Sequence, residues 1–350
     1  MLAALTAKVR GGSELSPAEI HVAVRLLAAE APEPAVKAEF LMALARRGET
    51  PAEITEFARE LRGLSVPPPI DPATRALGLI DVCGTGGDHQ NTFNISTTVA
   101  LVVATAGVPV AKHGNRAITS RSGSADVLEA LGIQVDLEPA EAARWLATHH
   151  FAFFFAPRYH PAFRHIAPAR KLCAQQGQRT LFNCLGPLLN PAQPDVQLVG
   201  VSQPQLCEPI ARVLLSLGLR RAMVVCGRVG ANHLDELSTV GDTTVAEFHH
   251  ERGLTLSTLS PQLFPIQPVT IGDLEGGDCE TNATVVTRIL SGVERGPKRD
   301  AVLLNAAAAL FLADKARTLL EGWDLAADLL DSGRATIKLG ELQQATRSSA

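Results

Sequence analysis

Two hydrophobic rhythms divide the chain. Over residues 1–70 the apolar positions keep helical spacing, with Val36, Phe40, Leu41 and Leu44 on one face. Helix starts are written twice in the same grammar. At Ser16-Pro17-Ala18-Glu19, Ser16 caps, Pro17 fits the first turn and Glu19 reaches back, while Leu15 and Ile20 take the positions of a hydrophobic staple. Thr50-Pro51-Ala52-Glu53 repeats the signal just after Gly48, which is suited to closing the preceding helix. Val66-Pro67-Pro68-Pro69-Ile70 then interrupts the pattern as a stiff connection.

From about residue 78 short apolar runs alternate with helical ones. Strands are expected at 79–82, 108–111, 151–156, 196–202 and 222–226, with helices at 124–131, 139–149 and 205–217. That alternation predicts a mainly parallel sheet covered on both faces, with ligands at the carboxyl ends of its strands. Further helices are expected near 281–290, 299–315 and 319–330. The segment 165–190, rich in Pro, Arg and Gly, does not fit the alternation and is expected to fold back onto the helical unit. The fold class is therefore α/β: a small all-helical domain (1–70, joined by part of 160–190) plus a larger α/β domain (71–350) with a mostly parallel central sheet. The apolar faces of the helical unit need a partner, either the other domain or a second subunit.

Composition narrows the classes. A chain of 350 residues is too long for one small core and fits about two domains. A formal net charge of −4 argues against a general nucleic-acid binder, without excluding small anionic substrates. The six cysteines are scattered with no C-x-x-C pair, which reads as reduced thiols in a cytoplasmic protein. The longest apolar runs, 99–110 and 302–312, are too short to span a membrane.

Chemistry gathers at four places. Gly84-Thr85-Gly86-Gly87-Asp88 lies between a strand and a helix, where glycines let backbone N–H groups approach a phosphate. It is neither a P-loop, lacking Gly-Lys-Ser/Thr, nor G-x-G-x-x-G, since His89 holds the last position. Alone it is either an anion site or a tight turn. Asn94-Ile95-Ser96-Thr97 opens a helix, as a phosphate site or as an ordinary cap. Lys112-His113-Gly114-Asn115-Arg116 ends a strand with two cations, and Ser120-Arg121-Ser122-Gly123-Ser124 opens another helix; the alternative is a solvated basic loop. Asp235-Glu236 follows a strand, where carboxylates are either surface charge or ligands of Mg²⁺ shared with substrate phosphates. Phosphate-binding loops with a carboxylate pair suggest a Mg-diphosphate substrate. His149-His150 and His249-His250 lack the i, i+4 spacing of helical metal ligands.

With the later segments 165–171, 182–191 and 234–238, these motifs follow one order over nearly the whole chain. In that order and approximate spacing the sequence resembles the anthranilate phosphoribosyltransferases of tryptophan biosynthesis. The resemblance implies a helical and an α/β domain, in a homodimer joined through the helical part. It implies transfer of the phosphoribosyl group of 5-phosphoribosyl 1-diphosphate (PRPP) to the amine of anthranilate, with release of pyrophosphate. Gly84, Thr85, Gly86, Gly87, Asp88, Asn94, Ser96, Thr97, Lys112 and Ser124 would then hold PRPP. Ser96, Asp235 and Glu236 would place Mg²⁺. Gly84, His113, Asn115, His160 and Arg170 would face anthranilate, with Asn115 and Arg170 positioning it and Arg170 matched to its carboxylate. No single residue stands out as the catalyst, because an aromatic amine is already unprotonated at neutral pH.

Two stretches depart from the family pattern: 172–178 is longer than its usual link, and Cys226 stands where a histidine is usual. The rivals are a pyrimidine-nucleoside phosphorylase, whose chains are longer with a different glycine loop, and a non-catalytic or nucleic-acid-binding paralogue on the same scaffold. The acidic balance and the intact Asp235-Glu236 weigh against the latter.

Overall fold

The computed structural model describes residues 1–117 and 121–349, so Ser120 of the basic segment lies outside the described residues. Four helices open the chain: α1 (Leu2–Arg10), α2 (Pro17–Ala28), α3 (Pro34–Arg47) and α4 (Pro51–Gly63). Both capping boxes form, with Ser16 and Glu19 exchanging bonds at α2, and Thr50 and Glu53 at α4. Glu53 does more than cap. Buried to 1% exposure, it also accepts the Leu15 N–H at 2.9 Å and pairs with Arg47, tying α4 to the entry of α2 and the end of α3. The apolar faces meet in one core around Val24, Phe40, Leu44 and Phe57. Ile166, Ala169 and Phe182 from the 160–190 segment share that core. Lys37 of α3, also 1% exposed, donates to the carbonyls of Ala29 (2.5 Å) and His165 (3.0 Å), fastening the segment to the helices.

After α5 (Pro72–Ala76) the chain alternates through β1 (Ile80–Gly84), α6 (Ile95–Thr105), β2 (Val110–Gly114), α7 (Ser124–Ala130), α8 (Pro139–His149) and β3 (Phe151–Phe155). Next come α9 (Ala156–Tyr159), α10 (Ala167–Gln175), β4 (Val196–Gly200), α11 (Cys207–Ser216) and β5 (Arg221–Val229). The rest is β6 (Asn232–Leu234), β7 (Thr243–His249), β8 (Gly253–Leu259), α12 (Cys279–Leu290), α13 (Pro297–Leu312), α14 (Leu319–Asp331) and α15 (Arg334–Ser349).

The sheet order is β3-β2-β1-β4-β5-β7-β8, with β6 beside β5. Strands β1 to β5 pair in parallel; β6 and β7 run antiparallel to β5, and β8 to β7. The parallel part matches the expectation from the alternation. The antiparallel β7–β8 hairpin was not anticipated. Its outer strand reads Gly-Leu-Thr-Leu-Ser-Thr-Leu, mostly exposed, so no buried run announces it. From β1 the chain steps outward to β2 and β3 and later returns to β1's other side as β4. The switch point between β1 and β4 is where the carboxyl edge of such a sheet opens a crevice.

The two long apolar runs are accounted for by burial: α6 and α13 lie in the large core on one sheet face. Among the described residues no helix is long and apolar enough to cross a membrane. The opposite face packs against α11 and the helical unit.

Glu53 supplies a test of this packing. Glu53→Ala leaves the Leu15 and Thr50 N–H groups unpaired and Arg47 with only the Ser13 and Gly48 carbonyls, so urea unfolding is expected to show a loss of about 1–3 kcal/mol. A loss below about 1 kcal/mol, within reach of a surface change, would contradict the buried network.

Candidate active site

The glycine loop runs directly off β1. Gly86 and Gly87 have φ of +69° and +80°, which a side chain would strain. The Gly86 N–H donates to Asp235 Oδ2 at 2.7 Å. An amide of this loop therefore faces a carboxyl group of the protein itself. Close approach also demands glycine elsewhere. An added Cβ at Gly84 would lie 2.2 Å from Asp235 Oδ2, and one at Gly200 only 1.5 Å from the Asp235 carbonyl oxygen. Gly84 and Gly200 are neighbours at the carboxyl ends of β1 and β4, so the two strands jointly make the seat of the Asp235 turn. Gly200 was missed in the sequence; its only signal was a glycine closing a strand.

Asn94 does not cap α6. Its side chain bonds instead to Asn282 (2.9 Å) and to the Ser122 carbonyl (3.4 Å), leaving the Ser96 N–H to Glu236 Oε1 at 3.2 Å. The first turn of α6 thus also meets a carboxylate. Lys112 comes up from β2 below them, 2% exposed, donating to the Val82 carbonyl (2.8 Å) and to Ser96 Oγ (3.4 Å). Asp81 lies deeper still, accepting from Asn190 (2.9 Å), Gln197 (3.4 Å) and the His113 N–H (3.4 Å).

Charge is crowded here. Burial pushes Asp235 and Glu236 up from the usual carboxylate range; Asp88 adds to the rise of both, and Asp235 to that of Glu236. Burial pulls Lys112 down, while Asp81 and Glu236 oppose that shift. The carboxylates call for more positive charge than Lys112 supplies. Among the described residues no group of three or more His, Cys, Asp or Glu stands ready to hold a metal. Two carboxylates and the Ser96 hydroxyl are nevertheless hard oxygen donors. Such a sparse set fits Mg²⁺, which uses one or two carboxylates and completes its shell with water and substrate phosphate.

The opening of α7 holds a carboxylate of the protein's own. Asp126 accepts from the N–H groups of Gly123 and Ala117, both at 2.9 Å, so Gly123 offers its amide inward. The Ser124 hydroxyl donates to the Asn115 carbonyl at 3.4 Å. Arg116 turns to Glu129 and Asp126 at the surface, and so is not a free cation of the site.

These elements enclose a cavity of about 380 Å³, lined by Gly84 to Asp88, Asn94, Ser96, Thr97, Lys112, His113, Asn115, Ser124, Asp235 and Glu236. His160 and Arg170 do not line it. They stand beside it through a run of rings: His113 to His160 at 5.2 Å, His160 to Phe163 at 5.0 Å, and Phe163 to Phe182 at 5.9 Å. The Arg170 guanidinium lies over Phe182 at 5.4 Å. Burial lowers His113 to about 3 and His160 to about 4, so both rings are neutral near pH 7. Arg179, unremarked in the sequence, lies against the glycine loop, its Nη1 2.5 Å from where a Gly87 Cβ would stand.

Residues 77–336 match the α/β domain of a glycosyl transferase family, and residues 3–65 match its helical bundle domain. The chain is 46% identical over 345 residues to the anthranilate phosphoribosyltransferase of Thermomicrobium roseum, covering 98% of this chain and 96% of that one. It is 44% identical over 344 residues to that of Caulobacter vibrioides, covering 98% and 97%. Its structure superposes on the anthranilate phosphoribosyltransferase of Thermus thermophilus with a TM-score of 0.88 at 40% identity, covering 98% and 99% of the chains. The Saccharomyces cerevisiae enzyme, solved in complex with PRPP and Mg, gives a TM-score of 0.87 at 28% identity over 99% and 98%.

Gly200→Ala tests the seat of the Asp235 turn. The added methyl cannot fit beneath the Asp235 carbonyl, so thermal or urea unfolding should show a loss of about 1–3 kcal/mol. An unchanged midpoint would mean the turn is not held where the structure has it.

Proposed function

We propose how this pocket works from one premise: the chain belongs to the anthranilate phosphoribosyltransferase family. It transfers the phosphoribosyl group of PRPP to the amine of anthranilate, giving N-(5-phosphoribosyl)anthranilate and pyrophosphate in tryptophan biosynthesis. One observation carries the reading on this chain's own geometry: the Gly86 N–H, at the switch point of the sheet, already holds a carboxylate oxygen at 2.7 Å. A diphosphate oxygen is a stronger claimant for the same donor.

In this reading the loop from Gly84 to Asp88, with Asn94, Ser96, Thr97, Lys112 and Ser124, holds PRPP. Ser96, Asp235 and Glu236 hold Mg²⁺, which when bound neutralises charge on the departing pyrophosphate. The anthranilate nitrogen forms a bond to ribose C1 as the bond from C1 to the pyrophosphate oxygen breaks, and the amine then gives up one proton. The loop amides and Lys112 stabilise the negative charge that collects on the leaving group. Anthranilate enters from the other side, between Gly84, His113, Asn115, His160 and Arg170. Neutral imidazoles there can accept from an amine N–H without repelling the positive charge that grows on the sugar. Arg170, mostly buried over Phe182, takes the carboxylate. Alignment rather than a strong base supplies much of the rate.

The same reading divides the chain at about residue 70, with part of 160–190 belonging to the helical unit. The homodimer forms through that unit, and the enzyme works in the cytoplasm. The shared core of α1 to α4 with Ile166, Ala169 and Phe182 supports the division.

Anthranilate fluorescence should fall only when PRPP and Mg²⁺ are both present; an unchanged signal with fresh substrates would sink the assignment. Replacing Asp235 and Glu236 together by Ala should move the Mg²⁺ titration upward by about tenfold or more, equal to ~1.4 kcal/mol. An unaltered titration would place the metal elsewhere. Arg170→Ala should raise the KM for anthranilate well above any change in the KM for PRPP, and equal losses would remove its carboxylate role.

A further inference from the structure

Arg62 stands in the last turn of α4 with no carboxylate partner given by any ion pair among the described residues. Its Nε donates to the Leu188 carbonyl at 2.5 Å, while its Nη2 is buried and finds no acceptor among those residues. Leu188 belongs to the tight 3₁₀ turn Gly186–Leu189. The same turn receives two more side chains. His113 Nδ1 lies 3.1 Å from the Gly186 carbonyl, and His160 bonds to the Leu189 carbonyl. Each of the three uses one nitrogen on the turn and leaves another buried and unpartnered: Arg62 Nη2, His113 Nε2 and His160 Nε2.

The chemistry of those three atoms is complementary to one kind of molecule. A ring nitrogen whose partner donates to a carbonyl is itself a lone-pair acceptor, so the histidines offer two acceptors. The guanidinium offers a donor with full positive charge, close enough to act electrostatically on His113. A small molecule bearing an amine next to a carboxylate meets both needs at once. A purely structural tie between α4 and the turn needs only Nε, and would bury Nη2 at a cost with no return.

We propose that Arg62 is a second cation for the acceptor's carboxylate, acting beside Arg170 and selecting ortho-amino carboxylates; this rests on the function proposed above. Burial holds the Arg62 guanidinium down to about 10, which leaves it charged throughout the neutral range. Its position on the helical unit, with His113 on the sheet, places the acceptor against both parts of the protein.

The test compares anthranilate with anthranilamide, in which a carboxamide replaces the carboxylate, at saturating PRPP and Mg²⁺. Anthranilamide is read as an alternative acceptor or, if it is not turned over, as a competitive inhibitor. Arg62→Gln should raise the anthranilate KM by about tenfold or more, while the anthranilamide constant and the KM for PRPP move by less than about twofold. Arg62→Lys keeps the charge without the planar fork and should show a smaller loss of the same selectivity. It also carries the test if the Gln variant does not fold. Equal losses with both acceptors, or a parallel loss for PRPP, would make Arg62 a structural tie only and overturn the proposal. A wild-type protein that consumes no anthranilate would instead overturn the functional reading, so the two failures are distinct.

Discussion

A buried ammonium is the constraint on which the rest of the site depends. Lys112 rises from β2 to a place where only 2% of it is exposed, and a lone charge there would be costly. Asp81 on β1 supplies the opposing charge but is itself fully buried, and so needs partners of its own. Asn190 and Gln197 provide them, and in doing so fix β4 and the segment after the Gly186–Leu189 turn against β1. Gln197 also donates to the Pro187 carbonyl at 2.8 Å, holding that turn from below. The polar cluster under the sheet edge therefore anchors both the glycine loop above it and the Gly186–Leu189 turn, against which the proposed reading sets the acceptor. Partial satisfaction of such a cluster would be worse than none.

Above that cluster hydrogen-bond donors and carboxyl groups meet at close quarters. The protein is acidic overall, yet the edge of its sheet presents loop amides, the first turn of α6 and Lys112. Asp235 and Glu236 now occupy those donors, and crowding raises both carboxyls. Glycines at 84, 200 and 227 make the arrangement possible by letting the Asp235–Ser238 turn lie against three strands. A Mg-diphosphate substrate brings anions for the amides and a cation for the carboxylates. In the proposed reading one ligand relieves both mismatches.

Much of the fold was legible because burial writes itself into the sequence. The strands β1 to β5 are apolar runs, and α8 was readable to its ends because Pro139 opens it. The β7–β8 hairpin was not legible, since an exposed edge strand of Thr, Ser and Leu carries no burial signal. Within the site, residues grouped by motif could be read, and the structure gathers most of them around one cavity. Residues that act by absence or from a distance could not. Gly200 matters for a methyl it lacks, and Asn190 and Gln197 matter through Asp81. Arg62 lies 124 residues before the turn that its Nε holds in a bond spanning |i−j| = 126 to Leu188, so local sequence could not associate them. At Gly123, Asp126 turns back on the helix start and takes the amide, a local bond that the motif alone does not reveal.

In the proposed reading Asp235 holds the place of the diphosphate on the glycine loop. A crystal structure of the chain with PRPP and Mg²⁺ tests it most directly. The expected result is a diphosphate oxygen within hydrogen-bond distance of the Gly86 N–H, with the Asp235 carboxylate moved off that amide. Asp235 still bonded to Gly86, with the diphosphate bound away from the loop, would contradict it.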